Sequence, residues 1–282
     1  MDYAIVLLSY NHENLTSQCL KSIINCNFPA QKIFLVHNGS DLKKVNFLSQ
    51  EFPHIQHLIT TKNVGYSGGA NYGLREAFKN FSKVLFLTND TEVIELPSFF
   101  PKEKLFFSIP IYLRNSQRLH SLHGELNPKR GKLNHVTDDI SIQNTVTDKS
   151  NIPYIPGTAF GIHQDVFVAT SGFNEKFHTY WEDVDLSYRS LKLGFKLDHD
   201  ASFVVKHKVG KTCHKDRFYT LYLYQRNRRW FMERHKLTSF KFYVTYYLDL
   251  LKLFFRTIKK TISNYENKSD FNYLRKLLYG RY

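Results

Sequence analysis

The sequence predicts an α/β fold of the nucleotide-binding kind, a Rossmann-like sheet flanked by helices, with a helical extension at the C-terminal end. Three observations carry this. Short apolar runs alternate with amphipathic segments through about the first ninety residues. The runs are continuously hydrophobic, as in strands buried on both faces of a parallel sheet. Each run then stops in a polar cluster, SYNHEN, HNGSD or TNDTE, at the strand ends where open α/β sheets bind their ligands.

In chain order, YAIVLLS reads as a strand followed by about 15 residues of helical character, and KIFLVHNGS as a second strand followed by a charged segment. IQHLITT is a third strand, leading through a glycine-rich turn into the helix ANYGLREAFKNF and the strand KVLFLTND. Residues 101–150 are polar and lack a clear period, with NPKRGKLN as a hairpin-like turn; the segment reads as an insertion or a pair of short strands. Order returns with YIPGTAFGIHQDVF, SGFNEKF, an acidic helix at WEDVDLSYRSLKLG and FKLDHDASFVV. From about Phe218 the chain is helical and rich in aromatic residues.

The chain has 282 residues, 42% of them hydrophobic, enough for one large core and too apolar for general disorder. Its 39 Lys and Arg against 25 Asp and Glu give a net charge of +14. Residues 203–282 hold 19 basic and 5 acidic side chains, so the preceding part is balanced at 20 of each. The excess belongs to the C-terminal region alone. Cys19, Cys26 and Cys213 are odd in number and lack C-x-x-C spacing, which argues against a disulfide framework or a zinc knuckle. The apolar run Ala4–Leu8 is too short for a signal peptide, and no stretch reaches the ~20 apolar residues of a membrane-spanning helix. The expected location is the cytoplasm.

Three stretches could carry chemistry. NVGYSGGANYGL (63–74) clusters glycines where a loop meets a helix, which suits either a tight structural turn or a backbone that approaches a diphosphate at a helix N-terminus. It matches neither G-x-G-x-x-G nor the P-loop pattern. FLTNDTEV (86–93) ends a strand in Asn89 and Asp90; the acid either caps a turn or offers a carboxylate to Mg²⁺ or Mn²⁺. In the acidic helix, Val184, Tyr188 and Leu191 form an apolar stripe, while Asp185 and Arg189 are spaced as an i, i+4 ion pair. Asp183 has no such partner. It lies in the first turn, where the helix dipole keeps a carboxylate ionised, the state a general base needs.

The ordered set VLLSYNHENLTSQCLKSI, VHNGS, NVGYSGGANYGL, LFLTNDTEV, PGTAFGIHQDVF, SGFNEKFHTYWEDVDLSYRSLKLGFKL and RNRRWF resembles the inverting GT-A glycosyltransferases of the family 2 type, in the branch with bacterial rhamnosyltransferases and similar polysaccharide-building enzymes. The likeness covers residues 3 to about 235. It implies a GT-A fold, a mixed sheet flanked by helices, divided into a nucleotide-sugar-binding half (1–95), an acceptor-binding and catalytic half (96–217) and the basic helical extension (218–282).

The resemblance also implies roles for single residues. Thr88-Asn89-Asp90 stands where the family has a metal-binding D-x-D, so only the last acid remains and Asp90 is the expected carboxylate ligand of Mn²⁺ or Mg²⁺. His207, in VVKHKVG, matches a histidine that joins the metal or diphosphate site. Asp183 matches the catalytic base, with Glu182 beside it. Tyr10, Asn11, His37, Asn38, Ser40, Asn63, Gly68, Gly69, Asn71 and Asn89 match the nucleotide-sugar pocket; His37 stands where relatives have an acid. The implied partners are a nucleoside-diphosphate sugar donor of the UDP or dTDP type and a glycan or lipid-linked glycan acceptor.

In FKFYVTYYLDLLKLFFRTIKK (240–260) the polar residues Lys241, Thr245, Asp249, Lys252, Arg256 and Lys259 recur every three or four positions. Such a helix can lie on an anionic membrane surface through residues 238–282, at the cytoplasmic face of an inner membrane. It can also dock on its own domain or on a second subunit as a homodimer. The Arg-rich RNRRWFMERHK and the pI of about 9.5 admit nucleic-acid binding, but no helix-turn-helix, zinc or RNA-recognition signature accompanies them, and no nucleic-acid partner is expected.

Overall fold

A computed structural model describes residues 1–113, 118–137, 142, 144, 151–207, 217–263 and 276–277, and their side chains except those of 217 and 256–263. Cys213, Arg256 and Lys259 fall outside the described side chains. The elements run β1 (Ala4–Ser9), α1 (Glu13–Asn25), β2 (Ile33–Asn38), α2 (Leu42–Glu51), β3 (Gln56–Thr60), α3 (Gly65–Ala77), β4 (Lys83–Thr88) and β5 (Thr91–Glu95). Six short strands follow: β6 (Phe106–Ser108), β7 (Ile111–Leu113), β8 (Leu119–Ser121), β9 (His123–Asn127), β10 (Lys132–Val136) and β11 (Ile152–Tyr154). The chain continues through β12 (Ala159–His163), α4 (Gln164–Thr170), α5 (Glu182–Lys192), β13 (Leu197–His199), β14 (Val204–His207), α6 (Arg217–Arg234) and α7 (Phe240–Ser263).

The main sheet has seven strands in the order β13-β6-β12-β4-β1-β2-β3. Strands β4, β1, β2 and β3 are parallel, as the continuous apolar runs predict. Beyond them the sheet is mixed, as the family resemblance implies, because β12 runs antiparallel to both β4 and β6. Ala159, the first residue of β12, pairs with Leu87 near the end of β4, so the chain re-enters the sheet where β4 leaves it and can only run back. Two smaller sheets, β10-β9-β11 and β5-β14-β7-β8, extend from that same end. The predicted hairpin is β9–β10, turning at 128–131 with Gly131 at φ +60°.

Apolar clusters cover both faces of the main sheet. Ile5, Leu7, Leu35 and Leu87 pack with Leu20 and Ile23 of α1, while Val6, Val36 and Phe86 pack with Ala70 and Leu74 of α3. Each fully buried side chain of this kind contributes roughly 1.5–3 kcal/mol. A third cluster joins Trp181 and Tyr188, beside and on α5, to Phe231 of α6 and to Phe242 and Tyr246 of α7. It fixes the extension to the helix that carries the acids.

The glycine-rich stretch is helix from Gly65 onward rather than a turn before a helix. A Cβ on Gly69 would lie 2.6 Å from Leu8 Cδ1, and one on Gly73 2.6 Å from Val6 Cγ1. The glycines let α3 press against the sheet.

Candidate active site

The ends of β1, β2 and β4 and the start of α5 converge at one edge of the main sheet. The β1–β2 rim is built by local polar pairing. Asn11, at φ 53°, donates its backbone N–H to Ser40 Oγ (3.2 Å) and accepts the Asp41 N–H on Oδ1 (2.9 Å). Asn tolerates this left-handed backbone better than most residues. Asn38 donates to the Gly65 carbonyl (2.9 Å) and to Asn63 Oδ1 (3.2 Å), and accepts the Val64 N–H (3.0 Å). Tyr10, Asn11, Ser40 and Asn63 keep accessible surface at this rim.

Other predicted pocket residues are used inside the protein. Asn71 is buried: its amide donates to the Phe173 carbonyl (2.8 Å) and Glu175 Oε1 (2.9 Å), and its Oδ1 accepts the Phe173 N–H (2.8 Å). Asn89 donates to Thr16 Oγ1 (3.0 Å) beneath the β1 end. Gly68 faces Val64, and Gly69 faces Leu8 and Asn38. The expected row of free N–H groups at the start of α3 is also occupied. Gly65 N–H bonds Asn63 Oδ1 (2.8 Å), Tyr66 N–H bonds Thr179 Oγ1 (3.4 Å) and Ser67 N–H bonds the His178 carbonyl (3.1 Å). The helix start binds its own chain because glycine side chains leave room for the 178–179 segment; a Cβ on Gly65 would lie 2.3 Å from His178 Nδ1.

His37 also departs from the expected nucleotide contact. Its ring is wholly buried and stacked on His57 at 5.2 Å, with Nε2 2.9 Å from His57 Nδ1. His57 Nε2 faces the Phe52 carbonyl (3.0 Å), which only accepts, so His57 Nδ1 is an acceptor and His37 Nε2 the donor. Burial, with the neighbouring His57, pushes the His37 pKa down to about 4 and keeps the ring neutral.

Asp90 and His207, far apart in sequence, meet. Asp90 Oδ2 lies 3.2 Å from His207 Nε2, and Thr88 donates its hydroxyl to Asp90 Oδ1 (2.7 Å). β5 pairs with β14 and registers Thr91 opposite His207, which brings the histidine to the end of β4. A carboxylate suits Mn²⁺ or Mg²⁺ when phosphate oxygens and water complete the shell, and the imidazole beside it suits Mn²⁺ better than the harder Mg²⁺. Among the described residues no set of three His, Cys, Asp or Glu converges as a metal cage. Thr88 braces the acid in the position where a second acid would stand.

Asp183 lies in the first turn of α5 with both oxygens engaged: Oδ2 accepts the Gly157 N–H (3.1 Å) and Oδ1 the Val184 N–H (2.8 Å). Burial raises its pKa, and these hydrogen bonds lower it against that trend. Glu182 is more deeply buried and its Oε2 has no partner among the described residues. Burial first, then the Asp183 and Asp185 charges, push its pKa well above the usual carboxylate range. Burial raises both acids, and the two N–H donors on Asp183 favour its ionised form over that of Glu182. Asp185 forms the predicted bridge to Arg189 (2.7 Å) and a second one to His235 Nε2 of α6 (2.8 Å). It is fully buried and structural.

Several residues of this site carry no signal strong enough to find from sequence. Gly157 donates to Asp183, and Tyr66 donates its hydroxyl to the Gly157 carbonyl. His178, Tyr180 and Trp181 all have positive φ (62°, 73°, 73°), a strained approach to α5 of the kind that gathers at functional sites. Asn227, within the RNRRW stretch, holds that approach by donating to the carbonyls of Phe177 (2.8 Å), Thr179 (2.9 Å) and Tyr180 (2.7 Å). Its neighbour Arg228 is buried and bridged to Asp249 of α7 (2.9 Å). These polar groups of the Arg-rich motif are spent within the fold.

Residues 2–232 match the family described as glycosyltransferase like family 2. The chain belongs to that family. No curated protein matches it in sequence. The GT-A architecture is shared with solved glycosyltransferase structures. GalNAc-T7 with UDP, GalNAc and Mn²⁺ aligns at a TM-score of 0.60 and 13% identity, over 81% of this chain and 47% of that one. The mannosyltransferase PcManGT from Pyrobaculum calidifontis, in complex with GDP-Man and Mn²⁺, aligns at 0.55 and 12% identity, over 100% and 88%. S. aureus TarS 1-349 in complex with UDP aligns at 0.51 and 14% identity, over 80% and 65%. This glycosyltransferase-family chain thus spans about half the length of GalNAc-T7.

Proposed function

We propose that the protein is an inverting, metal-dependent glycosyltransferase that moves a hexosyl or deoxyhexosyl unit from a UDP or dTDP sugar to a hydroxyl of a glycan or lipid-linked glycan in the building of a surface polysaccharide. The observation that carries this is the way the 157–158 turn serves two groups at once. Gly157 N–H holds Asp183, and the next carbonyl, Thr158, accepts the N–H of Thr88 (3.0 Å) at the end of the strand that leads to Asp90. One turn thus ties the candidate base to the strand end that leads to the candidate metal ligand.

Asp183 takes the proton of the acceptor hydroxyl as that oxygen attacks the anomeric carbon, and its raised pKa makes it a stronger base than an ordinary carboxylate. Gly157 and Val184 N–H groups orient its oxygens. Asp90 and His207 would hold a divalent ion, which would supply positive charge to the departing diphosphate. Tyr10, Asn11, Ser40 and Asn63 bound the donor pocket from the β1–β2 side. Attack from the face opposite the leaving group in one displacement inverts the anomeric centre.

The test is calorimetric binding of UDP, dTDP, GDP and CMP with and without Mn²⁺, on the parent and on Asp90→Ala. Metal-dependent binding of one nucleoside diphosphate, lost in the variant, supports the reading and names the donor class. Absence of binding by all four refutes it.

A further inference from the structure

The helix α7 has more apolar surface than its docking uses. At about 100° per residue, Phe242, Tyr246, Leu250 and Leu253 fall on one face, and all four are buried in the cluster shared with Trp181 and Tyr188. Phe240, Val244, Tyr247, Leu248, Leu251 and Phe255 fall on another face and are exposed, Phe240 by 86% and Phe255 by 60%. A groove of about 790 Å³ along this second face is lined only by aromatic and aliphatic residues. Docking on its own domain therefore accounts for one face of α7 and leaves the other open.

The third sector of the helix is polar. Lys241 and Lys252 are exposed there, beside Leu248 on the helix wheel, and Asp249 is taken up by Arg228 (2.9 Å). An exposed apolar face bordered by lysines, in a region with 19 basic and 5 acidic residues, matches a surface that is apolar beneath and anionic on top. Two copies joined through this face about a two-fold axis would set the same lysines and the same excess of charge against their own image. No described helix is long and apolar enough to cross a membrane, so the helix lies along the surface.

We infer that the exposed face of α7 seats the protein on an anionic lipid surface, with Phe240, Val244, Tyr247, Leu248, Leu251 and Phe255 among the acyl chains and Lys241 and Lys252 at the headgroups. The inference goes beyond the transfer reaction and does not depend on it. Because the opposite face of α7 shares a core with α5, seating the helix also fixes the height and tilt of Asp183 relative to the lipid.

Co-sedimentation of the full chain with phosphatidylcholine vesicles, and with the same vesicles carrying phosphatidylglycerol, tests it. The parent is expected to pellet with the anionic vesicles, less so as salt rises, and weakly with the neutral ones. Val244→Asp with Leu251→Asp, at two exposed positions, should lower partitioning by about tenfold or more with an unchanged melting temperature. Lys241→Glu with Lys252→Glu should lower it too and flatten the salt dependence. Failure of the parent to bind anionic vesicles overturns the inference, as does parental binding by the double aspartate variant. A dimer in sedimentation velocity that the aspartates abolish, without vesicle binding, assigns the face to a second copy instead. Nucleotide binding measured on the same samples stays parental in every variant, which separates this inference from the catalytic reading.

Discussion

Gly157 donates its backbone N–H to Asp183 Oδ2 at 3.1 Å, and a Cβ on Gly157 would lie 2.8 Å from the Tyr66 hydroxyl and 3.6 Å from the Asp183 Cβ. The bare backbone at this position lets the lead into β12, the start of α5 and Tyr66 of α3 meet around one carboxylate. Asp183→Asn keeps the size of the side chain and removes the base, while its amide nitrogen gives up one of the two N–H contacts. Turnover should fall by about 10²–10⁴-fold with donor affinity largely kept, as measured by release of nucleoside diphosphate beside calorimetric binding. Parental turnover would refute the assignment.

Glu182 offers a test by pH. Its folded-state pKa is raised by burial and by its acidic neighbours, so the stability tied to its protonated form is complete below the unfolded pKa and is lost as pH rises through the folded one. Glu182→Gln mimics the protonated acid. Its melting temperature should match the parent at about pH 4 and exceed it by a few degrees near pH 8, while transfer persists. A variant inactive at every pH would give Glu182 a direct part in the chemistry.

The pairing of Asp90 with His207 at 3.2 Å predicts a shared ligand. His207→Ala should weaken Mn²⁺-dependent nucleotide binding by at least about tenfold, and Thr88→Asp should strengthen it by supplying a second carboxylate. Metal titration followed by nucleotide calorimetry reads both. Unchanged metal dependence in His207→Ala would remove the histidine from the site.

Asn227 holds three main-chain carbonyls of the strained approach to α5. Asn227→Ala removes the amide whose bonds the part-buried Thr179 and Tyr180 carbonyls accept and should cost about 0.5–1.5 kcal/mol of stability for each hydrogen bond lost. Denaturant unfolding measures that loss, and kcat should fall more than donor affinity because Asp183 lies just beyond the segment.

Gly69 separates a packing role from a ligand role. Gly69→Ala places a Cβ 2.6 Å from Leu8 Cδ1, and the overpacked contact should cost about 1–3 kcal/mol. A variant of parental stability that loses nucleotide binding would return the glycine to the pocket.

The local pattern of the chain determined a good deal. Continuous apolar runs ending in polar clusters gave β1, β2 and β4 and their ligand-facing ends, because burial on both faces leaves a strand no polar position until it emerges from the sheet. The i, i+4 spacing gave the Asp185–Arg189 bridge, since a helix alone brings those side chains together. Tertiary structure decided the rest. Whether the glycines of α3 face a ligand or the sheet depends on which helix face meets β1 and β2, and that rests on Leu8, Val6 and Val36, distant in sequence. The meeting of Asp90 with His207 depends on β5 pairing with β14 across more than a hundred residues. The raised pKa values of Asp183 and Glu182 are equally nonlocal. The acids can be read from the sequence, but the protein packed around them sets their affinity for a proton.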